Sequence, residues 1–253
     1  MIEIKSRSEV EHMRRASGIV AEILAELVEM VRPGLTTAAL DAAAEQRIAR
    51  LGAKPAFKNY RVGDSIFPAV LCTSVNEEIV HGIPSGRTLV EGDIIGLDFG
   101  VIYEGYYADS AVTVPVGRVD PKSERLIATT RRCLDAAIEQ LHPGRRIGDV
   151  GSVVQAIAEA EGYGVVRDFV GHGIGRALHE DPQVPNFGIA GRGRSLKPGM
   201  VLAVEPMINE GSPGVRVLSD GWTAVTADGK RSAHFEHTVA ITEDGPWVLT
   251  SAN

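Results

Sequence analysis

Four carboxylates lie in stretches where a folded chain would ordinarily bury only apolar side chains. Asp98 sits in Ile94-Ile95-Gly96-Leu97-Asp98-Phe99-Gly100, and Asp109 follows eleven residues on, past Gly105. Glu205 closes the run Met200-Val201-Leu202-Ala203-Val204. Glu236 stands between Ala233-His234-Phe235 and His237-Thr238-Val239-Ala240-Ile241. An unpaired carboxylate in a core costs several kcal/mol, so each of these needs a partner or a cation. A histidine, His172, sits in the comparable segment Phe169-Val170-Gly171-His172-Gly173-Ile174-Gly175, whose glycines let other backbone approach closely. Singly, each residue has a plainer reading: a turn aspartate, a strand-ending glutamate, a hydrogen-bonded histidine. Together, four acids and one imidazole make an oxygen-rich donor set suited to divalent manganese, iron, cobalt or zinc. Four negative charges call for two such ions rather than one.

These side chains need strands to carry them and helices to cover the strands. Periodic apolar residues predict helices over about 8–31, from Thr36 or Thr37 to about Leu51, over about 123–141, and from about Asp149 to Glu161. Capping boxes are available at Ser6 with Glu9 or Ser8 with Glu11. Residues 69–75 read as a strand. The stretch from Ile94 through Gly105 to Val116 reads as a strand that turns back on itself, bringing Asp109 beside Asp98. Past Gly162 the chain is again rich in strand and turn signals.

The two halves resemble each other. Pro33-Gly34, Leu40, Ala44 and Gly52 match Pro143-Gly144, Val150, Val154 and Gly162 at an offset of 110. Gly92 to Asp98 matches Gly199 to Glu205 at an offset of 107, and His81-Gly82-Ile83 has an echo in His172-Gly173-Ile174. The expected architecture is α+β: two half-repeats, about 8–118 and 119–249, related by a pseudo-twofold axis in one catalytic domain spanning 1–253. On that plan the sheets join, the helices lie outside, and Asp98 and Glu205 are symmetry mates.

Composition narrows the partners. The chain has 253 residues, 44% of them hydrophobic, and a net charge of −7 with interspersed signs. Neither nucleic acid nor a membrane surface is favoured as the main partner. Cys72 and Cys133 are too few for a disulfide framework. No apolar run approaches a membrane span and no signal peptide is evident, so a cytoplasmic protein is expected.

The segments Leu97-Asp98-Phe99-Gly100, Tyr107-Ala108-Asp109, Gly171-His172-Gly173-Ile174-Gly175, Val204-Glu205-Pro206-Met207 and Phe235-Glu236-His237-Thr238 carry a family likeness. From about Ile4 to Leu249 the chain resembles the methionine aminopeptidases, in particular the type I bacterial kind. These are M24 metallopeptidases of the pita-bread (creatinase/aminopeptidase) fold, with a central curved antiparallel sheet. The stretch Cys72-Thr73-Ser74-Val75-Asn76-Glu77 through His81-Gly82-Ile83-Pro84 points to the methionine-specific branch.

The resemblance implies that Asp98, Asp109 and Glu236 hold one divalent ion. Asp109, His172, Glu205 and Glu236 would hold the other, with Asp109 and Glu236 bridging. It further implies a water or hydroxide between the ions as nucleophile, and Glu205 as proton shuttle as well as ligand. His179 would stabilise the oxyanion, and His81 would bond the scissile amide nitrogen or nearby backbone. Phe67, Cys72 and Trp222 would line the methionine pocket. His12, His142, His234 and His237 match no catalytic position. The chain departs from the family pattern between Tyr60 and Phe67, where it is about four residues longer, and at Leu178, where an aromatic is frequent.

The implied substrates are peptides and nascent polypeptides with an N-terminal methionine and a small second residue, met at the ribosome by a monomer. A pita-bread exopeptidase for Xaa-Pro peptides and a catalytically dead binding module are the rival readings. All five ligand types and both histidines are present, which argues against the second.

Overall fold

The computed structural model describes residues 2–251; Met1, Ala252 and Asn253 of the expected 1–253 domain lie outside the described residues. Helix α1 (Arg7–Met30) opens on the Ser6–Glu9 capping box and buries Val20, Ile23 and Leu27 on one face. Each such side chain contributes roughly 1.5–3 kcal/mol on burial. Helix α2 (Thr37–Arg50) is capped by Thr36. Helix α3 (Pro121–Ile138) starts two residues before the expected position, because Asp120 accepts from the Lys122 and Ser123 backbone N–H groups and Pro121 is tolerated in a first turn. Helix α4 (Ile147–Ala160) begins where the Asp149 carboxylate accepts the Arg146 N–H at 2.8 Å. No helix among the described residues is long and apolar enough to cross a membrane.

The main sheet has nine strands: β1 (Lys54–Pro55), β2 (Leu71–Val75), β3 (Ile94–Tyr103), β4 (Tyr106–Pro115), β5 (Gly171–Gly173), β6 (Glu180–Val184), β7 (Val201–Val204), β8 (Glu236–Thr242) and β9 (Gly245–Val248). Their order is β1-β3-β4-β8-β7-β5-β6, with β2 also on β3 and β9 also on β8. Every pairing is antiparallel. The expected hairpin is β3–β4, closed by Glu104 and Gly105 at positive φ of 50° and 82°. Two consecutive left-handed residues suit the twist of a two-residue turn.

The offsets found in the sequence recur in this layout. Helices α2 and α4 are 110 residues apart at both ends, and β3 and β7 begin 107 residues apart. The isolated bridge Thr36–Thr88 has its counterpart in Arg146–Ser195, at the same two offsets. Strands β4 and β8 meet at the centre, with β3 and β7 outside them. The histidine echo does not follow these offsets. Gly96 pairs with Ser74, and its counterpart Ala203 pairs with His172, so His172 corresponds to Ser74 rather than His81. His81 lies past the short strand Glu78–Val80, at a positive φ of 62°.

Strand alternation then divides the chemistry from the core. Ile95, Leu97, Phe99 and Val101 of β3 pack with α1 and α2 residues in one apolar cluster. Leu202 and Val204 of β7 and Val239 and Ile241 of β8 pack with α3 and α4 residues in another. The intervening residues of these strands face away from the helices, and Asp98, Glu236 and Thr238 are among them.

Candidate metal centre and active site

The strand register sets the acids side by side. Ala111 of β4 pairs with Asp98 on one side and Glu236 on the other, while Asp109 pairs with Gly100. Ala203 of β7 pairs with Thr238 and with His172. Paired residues project to the same face, so Asp98, Asp109, Glu236 and His172 share one side of the sheet. Gly100, Ala111 and Ala203 leave space between them. Donor atoms of Asp109, His172 and Glu236 lie within 4.8 Å of one another. His172 Nε2 is 3.4 Å from Glu205 Oε1. All five expected ligands line one cavity of about 150 Å³.

This cluster is electrostatically unsatisfied. Asp98 Oδ1, Asp109 Oδ1 and Glu236 Oε1 are buried without a hydrogen-bond partner. Burial pushes the Asp98 carboxyl up to about 7. Asp109, Glu205 and Glu236 rise well above the ordinary range, through burial first and then through repulsion between neighbouring carboxylates. Burial, with His179 beside it, lowers His172 to about 3 and keeps it neutral. Its Nδ1–H donates to the Gly173 carbonyl at 2.9 Å, which leaves the Nε2 lone pair directed at the acids. Bare carboxylate oxygens and a neutral imidazole nitrogen converging in one cavity fit a divalent cation, whose charge would reverse the carboxylate shifts and keep the imidazole unprotonated.

Close backbone packing holds the other two histidines. The chain leaves β5, turns at Gly175 to Ala177 and enters β6 at Glu180. Glu180 Oε1 accepts the Arg176 and Ala177 N–H groups, and Oε2 accepts Lys5 Nζ at 2.5 Å. This turn brings the His179 ring centroid to 4.4 Å from that of His172. Tyr60 Oη lies 2.6 Å from His179 Nδ1. At His81 the turn is pressed onto β2: a Cβ on Gly82 would lie 2.2 Å from the Thr73 carbonyl oxygen. The His81 ring packs edge-on against Phe169 at 5.3 Å and Trp222 at 6.3 Å.

The expected pocket residues also converge. Phe67, Cys72 and Trp222 line the cavity, and Phe67 packs edge-on against Trp222 at 5.3 Å. Both cysteines are free and buried, and burial pushes the Cys72 thiol well up, so it is an apolar wall rather than a nucleophile. Leu178 lines the cavity in place of an aromatic. The extra residues after Tyr60 form a small hairpin, Arg61–Val62 with Ser65–Ile66, and Val62 reaches the cavity wall.

Several site residues carried no signal in the sequence. Tyr60 and Phe169 act through approaches between distant segments. Thr238 Oγ1 donates to the Asp109 carbonyl at 2.7 Å and accepts its N–H at 3.2 Å, continuing the β4–β8 contact by side chain. His234 is buried with Nε2 3.8 Å from Glu205 Oε2. Of the other non-matching histidines, His12 faces Glu104 on the surface, His142 is exposed, and His237 bonds Thr250.

A sheet bearing such a centre is the hallmark of a known class. The chain belongs to metallopeptidase family M24, whose model matches residues 11–243. Within it, the chain is 50% identical to the methionine aminopeptidase of Clostridium perfringens over 250 residues, covering 99% of both. It superposes on a methionine aminopeptidase of Thermotoga maritima with a TM-score of 0.96 at 47% identity, covering 100% of both chains. A prolidase from Pyrococcus horikoshii shares the fold alone, with a TM-score of 0.79 at 23% identity over 99% of this chain and 64% of that one. The expected α+β pita-bread fold, the family and the dependence on divalent metal are thereby borne out.

Proposed function

We propose that this chain removes methionine from the N-terminus of peptides and nascent proteins whose second residue is small. In this reading Asp98, Asp109, His172, Glu205 and Glu236 would hold two divalent ions. The carrying observation is the convergence of three unpartnered carboxylate oxygens with the Nε2 of a neutral His172, beside an apolar pocket. When bound, the ions supply Lewis acidity and a water acidic enough to attack near neutral pH.

The protein's own groups do the rest. Phe67, Cys72 and Trp222 give the unbranched thioether an apolar, polarisable wall, and they place the first peptide bond over the acids. Tyr60 Oη lies 2.6 Å from His179 Nδ1; with the phenol donating in that bond, the neutral ring would carry its proton on Nε2 and offer it to the scissile carbonyl as negative charge develops there. His81, fixed by its turn and by Phe169, bonds the scissile amide or adjoining backbone. Glu205, at the end of β7, takes up a proton and returns it to the leaving amine. The single catalytic domain of two half-repeats acts as a monomer on chains emerging from the ribosome in the cytoplasm.

The test strips the metal, restores manganese, cobalt or iron(II), and assays Met-Ala-Ser beside Xaa-Pro peptides. Release of methionine on metal restoration is expected. Cleavage confined to Xaa-Pro peptides contradicts the substrate assignment, and no turnover with any metal favours a binding module.

A further inference from the structure

Glu205 has a second imidazole beside it. His234 ends the short strand Ser232–His234, and its side chain is 4% exposed. Its Nε2 lies 3.8 Å from Glu205 Oε2, while His172 Nε2 lies 3.4 Å from Oε1. The carboxylate is therefore flanked on both oxygens. Among the described residues, His234 Nε2 is the one buried imidazole nitrogen without a hydrogen-bond partner. A buried polar atom left unpaired bears its full desolvation cost, which argues for a partner in the working enzyme.

The backbones that carry the pair are fixed relative to each other. Thr113 Oγ1 donates to the His234 carbonyl at 2.8 Å and accepts its N–H at 2.9 Å. His234 pairs in register with Met207, two residues past Glu205. Asn186 Nδ2 donates to the Glu205 carbonyl at 3.0 Å. The remaining freedom is carboxylate rotation, and the 3.8 Å gap is just beyond hydrogen-bond length.

We propose that His234 is a positioning residue for the metal centre, its Nε2–H donating to Glu205 Oε2 so that Oε1 is presented to a cation beside His172. This deepens the function proposed above and rests on Glu205 being a ligand. Outer donors to ligating side chains typically change metal affinity by about 10–100-fold.

The test titrates metal-free protein with manganese(II) by calorimetry and records the visible spectrum of the cobalt(II) form, for wild type, His234→Leu, His234→Gln and Glu205→Gln. The leucine variant should bind manganese about 10–100-fold more weakly and shift the cobalt spectrum. The glutamine variant, which keeps an N–H donor, should recover most of both. Wild-type affinity and spectrum in the leucine variant, or a glutamine variant no better than leucine, overturns the proposal. Glu205→Gln tests the premise separately: unchanged affinity there removes Glu205 from the ligand set, whereas a loss there with His234→Leu unaffected rejects the role of His234 alone. If the leucine variant does not fold, nitrogen-15 spectra of histidine-labelled, zinc-loaded wild type decide the matter. A proton on His234 Nε2 is expected, and a bare Nε2 contradicts it.

Discussion

Single residues in this chain are readable when their chemistry conflicts with their neighbours. Asp98, Asp109, Glu205 and Glu236 stand out because each is an acid in an apolar run, and His172 because glycines surround it. Tyr60 has no such conflict. Its meaning comes from a 2.6 Å contact with His179, 119 residues away, which only the folded chain creates. His179→Ala should lower kcat about 10²–10³-fold with a smaller change in KM, the usual effect of losing one oxyanion donor. Steady-state assay of methionyl peptides checks it. Tyr60→Phe should lower kcat about fivefold, the kinetic equivalent of one hydrogen bond of roughly 1 kcal/mol. An unchanged kcat in Tyr60→Phe means the tautomer of His179 is set by something else.

Elements were legible where turn chemistry repeats. Pro-Gly and Gly stops recur at constant offsets, and the structure keeps those offsets at the ends of α2 and α4 and at the starts of β3 and β7. The same reasoning misleads when a short likeness is not tied to a register. His81-Gly82-Ile83 and His172-Gly173-Ile174 look alike, yet one forms a turn beyond a strand and the other is a strand. The hairpin after Tyr60 was legible only as extra length, since two-residue strands leave almost no periodic signal. The His81 turn itself is tightly constrained. Gly82→Ala would drive a Cβ to 2.2 Å from the Thr73 carbonyl oxygen, so the turn must shift. We expect a loss of about 1–3 kcal/mol in chemical denaturation, with a fall in kcat as His81 moves. Wild-type stability and rate in that variant would show that the turn is slack.

At the scale of the whole molecule, the sheet assembles charges that the fold alone does not favour. Without metal, burial pushes Asp98 up to about 7 and, with repulsion among the carboxylates, holds the other three acids well above the ordinary range, which lies near 4. A folded carboxyl with a raised pKa stabilises the fold below the unfolded pKa and loses that contribution as pH rises through the folded value. The buried histidines, lowered to about 3 for His172 and about 4 for His81, act in the opposite sense but only as pH falls below about 6.5. Above pH 7 they are neutral in both states. Chelated protein should therefore melt at lower temperature as pH rises through about 7, and manganese should abolish that trend. A flat profile without metal would mean that the acids are not held together as described. The most direct test of the central claim compares wild type with Asp109→Asn, measuring bound manganese and methionine release from Met-Ala-Ser in the same preparations. The site described here predicts that metal content and activity fall together in the variant; full metal loading with full activity would contradict it.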